Sequence, residues 1–195
     1  TNDKTQDIKT SEETWELCVE KMRSGEYELL VFDELLYVLS YGFLDVDAVI
    51  VTHTHQDHWD DAAKEAIPKD MPIFTQNARD QWDIQMSWFR NTWVLEERND
   101  FGGITLNKTP GQHGRGEILE GLMGDILGNV CGIVFTHPRE KTLYIAGDTV
   151  WYQGVEQNLK QYKPDVMVLN SGDAKVLPNE SIIMGKEDVY EAYKA

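Results

Sequence analysis

The chain has 195 residues, 41% of them hydrophobic and 27% charged, which is ordinary for a globular protein with one sizeable core. Its formal net charge of −16 argues against a sequence-independent grip on nucleic acid, because phosphate binding needs clustered lysine and arginine. No apolar run approaches membrane-spanning length, and the N-terminus lacks the pattern of a signal peptide, so neither a membrane nor nucleic acid is an expected partner.

The two cysteines, Cys18 and Cys131, are far apart and match no zinc or redox spacing. We therefore expect both to be buried thiols in a reducing compartment. This use of cysteine, together with the missing signal pattern, predicts a cytoplasmic protein.

Hydrophobic periodicity predicts alternating helices and strands along the chain. A first helix begins at the capping box of Thr10 and Glu13 and ends at Gly25, a short strand covers residues 29–32, and a second helix ends at Gly42. The elements predicted after them are strands at 48–51, 73–74, 93–95, 104–106, 132–136, 142–145 and 166–169, and helices near 60–66, 77–89, 153–162 and from 186. Strands mixed with helices in this way predict an α/β layered sandwich.

The segment with the most chemical information is residues 52–58, Thr-His-Thr-His-Gln-Asp-His, directly after the apolar strand 48–51. It places three imidazoles and a carboxylate within six positions, namely His53, His55, Asp57 and His58. Side chains alternate along a strand, so His53 and His55 should point the same way. A polar loop with incidental histidines is the alternative, but three of the five histidines of the chain lie here. Imidazole and carboxylate suit zinc, iron or manganese.

These residues carry a family resemblance. The His-x-His-x-Asp-His pattern, residues 109–113 (Thr-Pro-Gly-Gln-His) and residues 143–149 (Leu-Tyr-Ile-Ala-Gly-Asp-Thr) resemble, in the right order, three motifs of the metallo-β-lactamase superfamily of metal-dependent hydrolases. The sequence at residues 114–117 and 182–185 is most similar to the branch of the superfamily that includes the ascorbate-6-phosphate lactonase-like hydrolases. The resemblance implies a metallo-β-lactamase-like αββα sandwich.

The resemblance also implies roles for individual residues. One ion would be held by His53, His55 and His113, and a second by Asp57, His58 and the bridging Asp148. One or two zinc ions are expected, with manganese or iron as alternatives, and Asp57 would orient a metal-activated hydroxide. The loops would select a small-molecule substrate, and the candidate contacts are Trp59, Gln112, Arg115 and Trp151. Arg115 could pair with a phosphate or carboxylate on the substrate, and for Trp59 and Trp151 a position in the core or at the rim is an equal alternative.

One departure from the family pattern concerns the second ion. In the family a further histidine follows the strand after the helix predicted from residue 186, and the sequence ends at Ala195. The remaining histidine, His137, lies in a predicted hairpin turn and is expected to be exposed. The sandwich would thus be incomplete at its C-terminal end, and the second site would need water or another subunit, which leads us to expect a homo-oligomer.

The first 45 residues depart from the metallo-β-lactamase pattern and form an atypical N-terminal α/β segment. Residues 16–46 instead resemble part of the corrinoid adenosyltransferases, in which an apolar strand ends in an acidic pair, here Asp33 and Glu34. The phosphate-binding Gly-x-x-x-x-Gly-Lys-Ser/Thr loop of those proteins is absent from this sequence. We therefore divide the chain into a segment 1–45 and a metallo-β-lactamase-like domain 46–195, as in a chimera.

These features lead to a metal-dependent hydrolase acting on a small ester, lactone or phosphoester. One alternative is a phosphodiesterase of the same superfamily. Another is a chimeric or fragment protein that folds and binds metal without a physiological reaction, which the missing last histidine favours. Adenosyl transfer ranks below these because the phosphate loop is missing.

The N-terminal segment should not bind nucleotide, because an acidic strand end without a phosphate loop has nothing to cradle a triphosphate. Equilibrium titration with ATP and magnesium should show no saturable binding below about millimolar concentration. Micromolar binding that disappears in Asp33→Ala would contradict this prediction.

Overall fold

The structure is a computed structural model that describes residue 9 and residues 48–116, 122–177 and 180–195. In the three continuous ranges there are ten strands: β1 Val49–Val51, β2 Ile73–Thr75, β3 Thr92–Val94, β4 Arg98–Phe101, β5 Ile104–Pro110, β6 Cys131–Thr136, β7 Leu143–Ile145, β8 Val166–Val168, β9 Lys175–Leu177 and β10 Glu180–Ser181. The helices there are α1 Asp61–Ala66, α2 Ala78–Met86, α3 Leu122–Leu127, α4 Gln153–Tyr162 and α5 Lys186–Lys194. None of these helices is long and apolar enough to cross a membrane.

The strands form two main sheets. β1, β2 and β3 are parallel, with Val49 beside Ile73 and Ile73 beside Thr92. Parallel neighbours need crossover connections, and α1 and α2 supply them. The second sheet has the order β4-β5-β6-β7-β8 and is antiparallel except between β7 and β8. β9 and β10 form a separate two-stranded ribbon.

The core has three parts, which define the layers. Between the two sheets lies a cluster of buried apolar side chains: Phe74, Leu95, Leu106 and Ile133. The other face of the first sheet packs on the α1–α2 side through Val51, Trp59, Ile73, Ile84 and Phe89. The other face of the second sheet packs on α4 and α5 through Val134, Tyr144, Val155, Leu159 and Ala192. The layer order is therefore helix, sheet, sheet, helix.

The alternation of side chains in the strands explains why both sheets are covered on two faces. In β2, Ile73 faces the helices while Phe74 faces the opposite sheet. In β6, Ile133 faces the opposite sheet while Val134 faces α4. Strands buried on both faces are continuously apolar, which is why both segments were recognisable as strands in the sequence.

Most predicted elements from residue 48 onward are confirmed within one to three residues, including the β6–β7 hairpin. The strand β4 was not predicted because its sequence, Arg-Asn-Asp-Phe, is polar. The helix α3 and the ribbon of β9 and β10 were also missed, because they are too short to show periodicity. The helices and the strand predicted within residues 10–42 lie outside the described residues.

The cluster between the sheets should dominate stability. Ile133 is 2% exposed, and Ile133→Ala should lower the free energy of unfolding by about 2–5 kcal/mol, because it removes buried methyl groups and leaves a cavity. Ile126→Ala is the matched control, since Ile126 is 58% exposed and its loss should change stability by less than about 0.5 kcal/mol. Urea unfolding midpoints of both variants test this, and equal midpoints would contradict the assigned core.

Candidate metal centre

The polar residues of the centre lie just beyond strand ends at one edge of the sandwich. β5 and β7 are both antiparallel to β6, so they run in the same direction, and β8 runs parallel to β7. Their carboxyl ends therefore meet at one edge. His113 follows the end of β5 and Asp148 follows the end of β7. The loop after β1 brings His53, His55 and His58 to the same place.

Backbone and side-chain hydrogen bonds join the loops that carry His113 and Asp148. The Gln112 backbone N–H donates to Thr149 Oγ1 at 2.9 Å, and the Val150 N–H donates to the Gln112 carbonyl at 2.9 Å. Because these bonds lie beside the two candidate ligands, they fix the spacing between them. The strands thus fix where the two loops begin, and the hydrogen bonds between the loops fix the positions of His113 and Asp148 relative to each other.

Gly147 makes the turn that delivers Asp148. Its φ is +69°, in the left-handed region that side chains disfavour. A Cβ at this position would lie 2.6 Å from the Cys131 carbonyl oxygen. Glycine is therefore required both by the backbone conformation and by the close approach of β6.

The imidazole rings form one compact group. The ring centroid of His53 lies 4.4 Å from that of His55, 4.1 Å from that of His58 and 5.6 Å from that of His113. The carboxylate oxygen Oδ2 of Asp148 lies 3.2 Å from Nε2 of His58, 3.7 Å from Nε2 of His113 and 3.8 Å from Nε2 of His53. One carboxylate oxygen thus faces three imidazole nitrogens.

Two backbone carbonyls decide which ring nitrogens remain free. His113 Nδ1 lies 2.8 Å from the Ile182 carbonyl oxygen, and His55 Nε2 lies 3.3 Å from the Ile126 carbonyl oxygen. A carbonyl only accepts, so the nitrogen that faces it carries the proton. The lone pair is then left on Nε2 of His113 and on Nδ1 of His55. Such partners are what fixes the orientation of metal-binding histidines.

The electrostatics keep most donors unprotonated. Burial lowers the pKa of His53 to about 3, and the neighbouring His58 acts in the same direction. Burial also lowers the pKa of His113. Burial alone would raise the pKa of Asp148, but the hydrogen bonds from His58 and Asn170 outweigh it and hold that pKa below its ordinary value. For His58, burial opposes the charge, yet the contact with Asp148 raises its pKa.

The donor set suits a transition-metal ion. His53 Nε2 is buried and has no hydrogen-bond partner among the described residues. An unpartnered buried nitrogen is costly, and a metal ion would satisfy it. Neutral imidazoles with one ionised carboxylate are ordinary ligands of zinc, manganese and iron. The residues present therefore fit a metal ion.

The sequence predicted two ligand groups, and the structure brings together most of their members. Ligand atoms of His53, His55 and His113 lie within 4.8 Å of one another, and so do those of His53, His58 and Asp148. Asp57 belongs to neither group. Its side chain is 75% exposed, although its Oδ2 lies 3.6 Å from His58 Nε2. Asp57 is at the rim, next to the second group.

The residues predicted to contact substrate have different environments. Trp59 is buried and packs on Phe89, with ring centroids 5.1 Å apart, so it belongs to the core and not to an exposed loop. The guanidinium of Arg115 is hydrogen-bonded to Asp188 of α5, while the Arg115 side chain remains 45% exposed, so its contact with substrate stays a prediction.

The other two candidates are half-buried near the centre. The Gln112 amide donates to the Gly114 carbonyl at 3.0 Å, and the Trp151 backbone N–H donates to Asp188 at 3.3 Å. Trp151 also packs against the core on the α4–α5 side. His137 lies in the β6–β7 turn at the far end of the sheet, half-buried and not exposed as expected, and its Nδ1 accepts from the Arg139 N–H.

Two features of the centre were missed in the sequence. Asn170, two residues after β8, donates to Asp148. The sequence held one indication of Asn170, because it follows the strand β8, whose end lies at the same edge. A single asparagine after a strand is too common to predict a functional role. The carbonyls of Ile126 and Ile182 carry no sequence signal, because every residue has one. The buried, free state expected of Cys131 is confirmed, while Cys18 lies outside the described residues.

Comparison with known proteins identifies homologues for most of the chain. It is 53% identical over 150 residues to UPF0173 protein YddR of Bacillus subtilis, a match of 77% of this chain and 58% of the relative. It is 30% identical over 150 residues to a UPF0173 metal-dependent hydrolase of Pelotomaculum thermopropionicum, covering 76% of this chain and 61% of the relative. The homologues are therefore UPF0173 metal-dependent hydrolases, and this chain spans about three fifths of their length.

Comparison with solved structures also finds a hydrolase. The crystal structure of isothiocyanate hydrolase from Delia radicum gut bacteria is 50% identical, with a TM-score of 0.76 over 80% of this chain and 60% of that one. The metallo-β-lactamase-like α/β fold expected from the sequence is confirmed.

The N-terminal part matches a different family. Residues 1–61 match the family model of ATP:corrinoid adenosyltransferase BtuR/CobO/CobP. This agrees with the resemblance found in the sequence and with a chimeric origin. The match extends past residue 45, so the division at residues 45 and 46 stays a prediction.

Replacing Gly147 should disturb the centre. Gly147→Ala places a Cβ against the Cys131 carbonyl and forces a left-handed alanine, at a cost of roughly 1–3 kcal/mol from the backbone conformation alone. We expect lower stability together with weaker metal binding, because the turn carries Asp148. Gly103→Ala is the control, since Gly103 also has positive φ but has no atom within 4 Å of the added Cβ. Equal metal affinity in the two variants would show that the close approach at Gly147 does not matter.

Proposed function

We propose that this chain carries the metal centre of a hydrolase that uses a metal-activated hydroxide on a small electrophilic substrate. The observation that supports this most directly is the convergence of four imidazoles and the Asp148 carboxylate at one edge of the sandwich, with His53 Nε2 left without a partner among the described residues. The similarity to UPF0173 metal-dependent hydrolases supports the same function.

The proposed ligands form two groups. His53, His55 and His113 hold one ion, while His58 and Asp148 provide most of a second site. Zinc is the first candidate, because imidazole-rich sites with one carboxylate are typical of it, and manganese or iron is the alternative. When bound, the metal supplies a hydroxide near neutral pH and stabilises the charge that develops on the substrate.

The protein's own residues would then orient the reaction. The Asp57 carboxylate is at the rim, where it can approach both His58 and a molecule that enters from solvent. We assign it the role of orienting the attacking water, because its carboxylate is exposed and lies 3.6 Å from the candidate ligand His58. Asp148 stays ionised through its hydrogen bonds and so remains available as a ligand across the neutral pH range.

For the substrate, an electrophilic carbon that is doubly bonded to a heteroatom is the best-supported target. The isothiocyanate hydrolase structure is 50% identical to this chain, and an isothiocyanate has such a carbon between nitrogen and sulfur. Addition of water to that carbon would place both of its protons on nitrogen and break the carbon–nitrogen bond, so that isothiocyanate and water would give an amine and carbonyl sulfide. Small esters and lactones offer a related carbonyl carbon. A phosphoester would instead require attack on phosphorus.

The metal assignment can be tested by removing two ligands. Replacing His55 and His113 together with alanine should abolish tight binding, because it leaves the first site with His53 alone. Elemental analysis after dialysis should find zinc, manganese or iron in the parent and none in the double variant. His137→Ala is the matched control, since His137 lies in the turn at the far end of the sheet. Metal content that is unchanged in the double variant would rule out this site.

The reaction can be tested on the same preparations. Metal-loaded parent and His137→Ala should hydrolyse an aryl isothiocyanate, a small lactone or a phosphodiester, whereas the double variant should not. The substrate with the highest kcat/KM identifies the class. If the parent binds metal yet hydrolyses none of the three, the hydrolase proposal for this chain fails and metal binding alone remains.

A further inference from the structure

The two oxygens of the Asp148 carboxylate have different surroundings. Oδ1 accepts a hydrogen bond from the side-chain amide of Asn170 at 2.5 Å. Oδ2 faces the imidazoles, at 3.2 Å from His58, 3.7 Å from His113 and 3.8 Å from His53. The carboxylate is therefore held with one oxygen toward the amide and the other toward the candidate ligands.

The register of the sheet brings Asn170 to this position. β7 and β8 are parallel, with Ile145 beside Val168, and the Ala146 N–H donates to the Val168 carbonyl at 3.0 Å. Asp148 lies three residues beyond β7 and Asn170 two residues beyond β8, and their side chains are hydrogen-bonded. The side chain of Leu169 is buried in the core on the α4–α5 side and so anchors the backbone directly before Asn170.

In the contact between Asn170 and Asp148, the amide is the donor and the carboxylate is the acceptor. The hydrogen bond runs from the side-chain nitrogen of Asn170 to Oδ1 of Asp148, and an ionised carboxylate only accepts. The amide of Asn170 must then turn its NH₂ group toward the carboxylate. A neutral donor can orient the oxygen without neutralising the charge that a metal ion would need. A lysine or arginine in its place would compete with the ion for the carboxylate.

We propose that Asn170 is a positioning residue for the metal centre: its amide occupies Oδ1 of Asp148 so that Oδ2 alone is presented to the ions. This inference rests on the proposed function, because it gives Asp148 a role as a ligand. Without the amide the carboxylate can rotate about its Cβ–Cγ bond and present either oxygen, and the ligand geometry is no longer fixed. Residues that orient ligands in this way typically contribute about 10- to 100-fold to metal affinity.

The test uses Co²⁺ alone as the probe, because its visible absorption reports ligand geometry independently of activity. Asn170→Leu removes the donor while keeping a similar volume, and Asn170→Ser keeps a donor on a shorter side chain. We expect Co²⁺ affinity about 10- to 100-fold weaker in Asn170→Leu, with altered absorption bands, and an intermediate affinity in Asn170→Ser. If Asn170→Leu does not fold, as judged by circular dichroism, Asn170→Ala removes the donor without a branched side chain and is measured in its place.

Asn158→Leu is the matched control for a merely structural role. Asn158 is buried, whereas Asn170 is half-buried, and the Asn158 amide donates to the Tyr144 hydroxyl at 3.3 Å, away from the centre. This variant should be less stable yet keep the parent's cobalt spectrum and affinity. A parent-like spectrum and affinity in the donor-free Asn170 variant would overturn the inference while leaving the metal site intact. A parent that binds no Co²⁺ would instead overturn the proposed function itself.

Discussion

The buried carboxylate of Asp148 is the group on which the rest of the centre depends. An ionised carboxylate removed from water is costly unless hydrogen bonds or charges offset the loss of hydration. Here two side chains offset it from different directions, His58 on Oδ2 and Asn170 on Oδ1. Against the effect of burial, the contact between His58 and Asp148 raises the pKa of His58 and lowers that of Asp148, so these two groups stabilise each other's charged forms. A metal ion would take over the role of the His58 proton.

The fold brings these side chains together through short loops. Because β5, β7 and β8 run in one direction, residues just beyond their ends share one edge, and short loops are sufficient. The turns at Gly114 and Gly147, each next to a candidate ligand, have positive φ, and Gly147 also passes close to Cys131. This arrangement places the ligands on rigid strand ends, where small displacements are resisted by the whole sheet.

A residue of the centre could be predicted from the sequence when the features that indicate it lie close together in the chain. The loop of His53, His55 and His58 is contiguous, so its chemistry was visible without a fold. His113 and Asp148 were found through the strands before them and a family resemblance. Asn170 was not, because its meaning comes from strand pairing, which a single sequence does not display. For Trp59 the sequence left a core position and a substrate contact both open for the same reason: the packing against Phe89 that buries it joins distant segments.

Arg115 supports the candidate centre through its ion pair with Asp188 of α5. Its partner Asp188, near the start of α5, also accepts from the Trp151 backbone. One carboxylate thus ties α5 both to the loop after His113 and to the loop after Asp148. Because Asp188 is buried, loss of either donor would leave an acceptor poorly satisfied, and both loops would lose a common anchor. The helix that ends the chain is thereby part of the support of a centre built from residues 40 to 135 positions earlier.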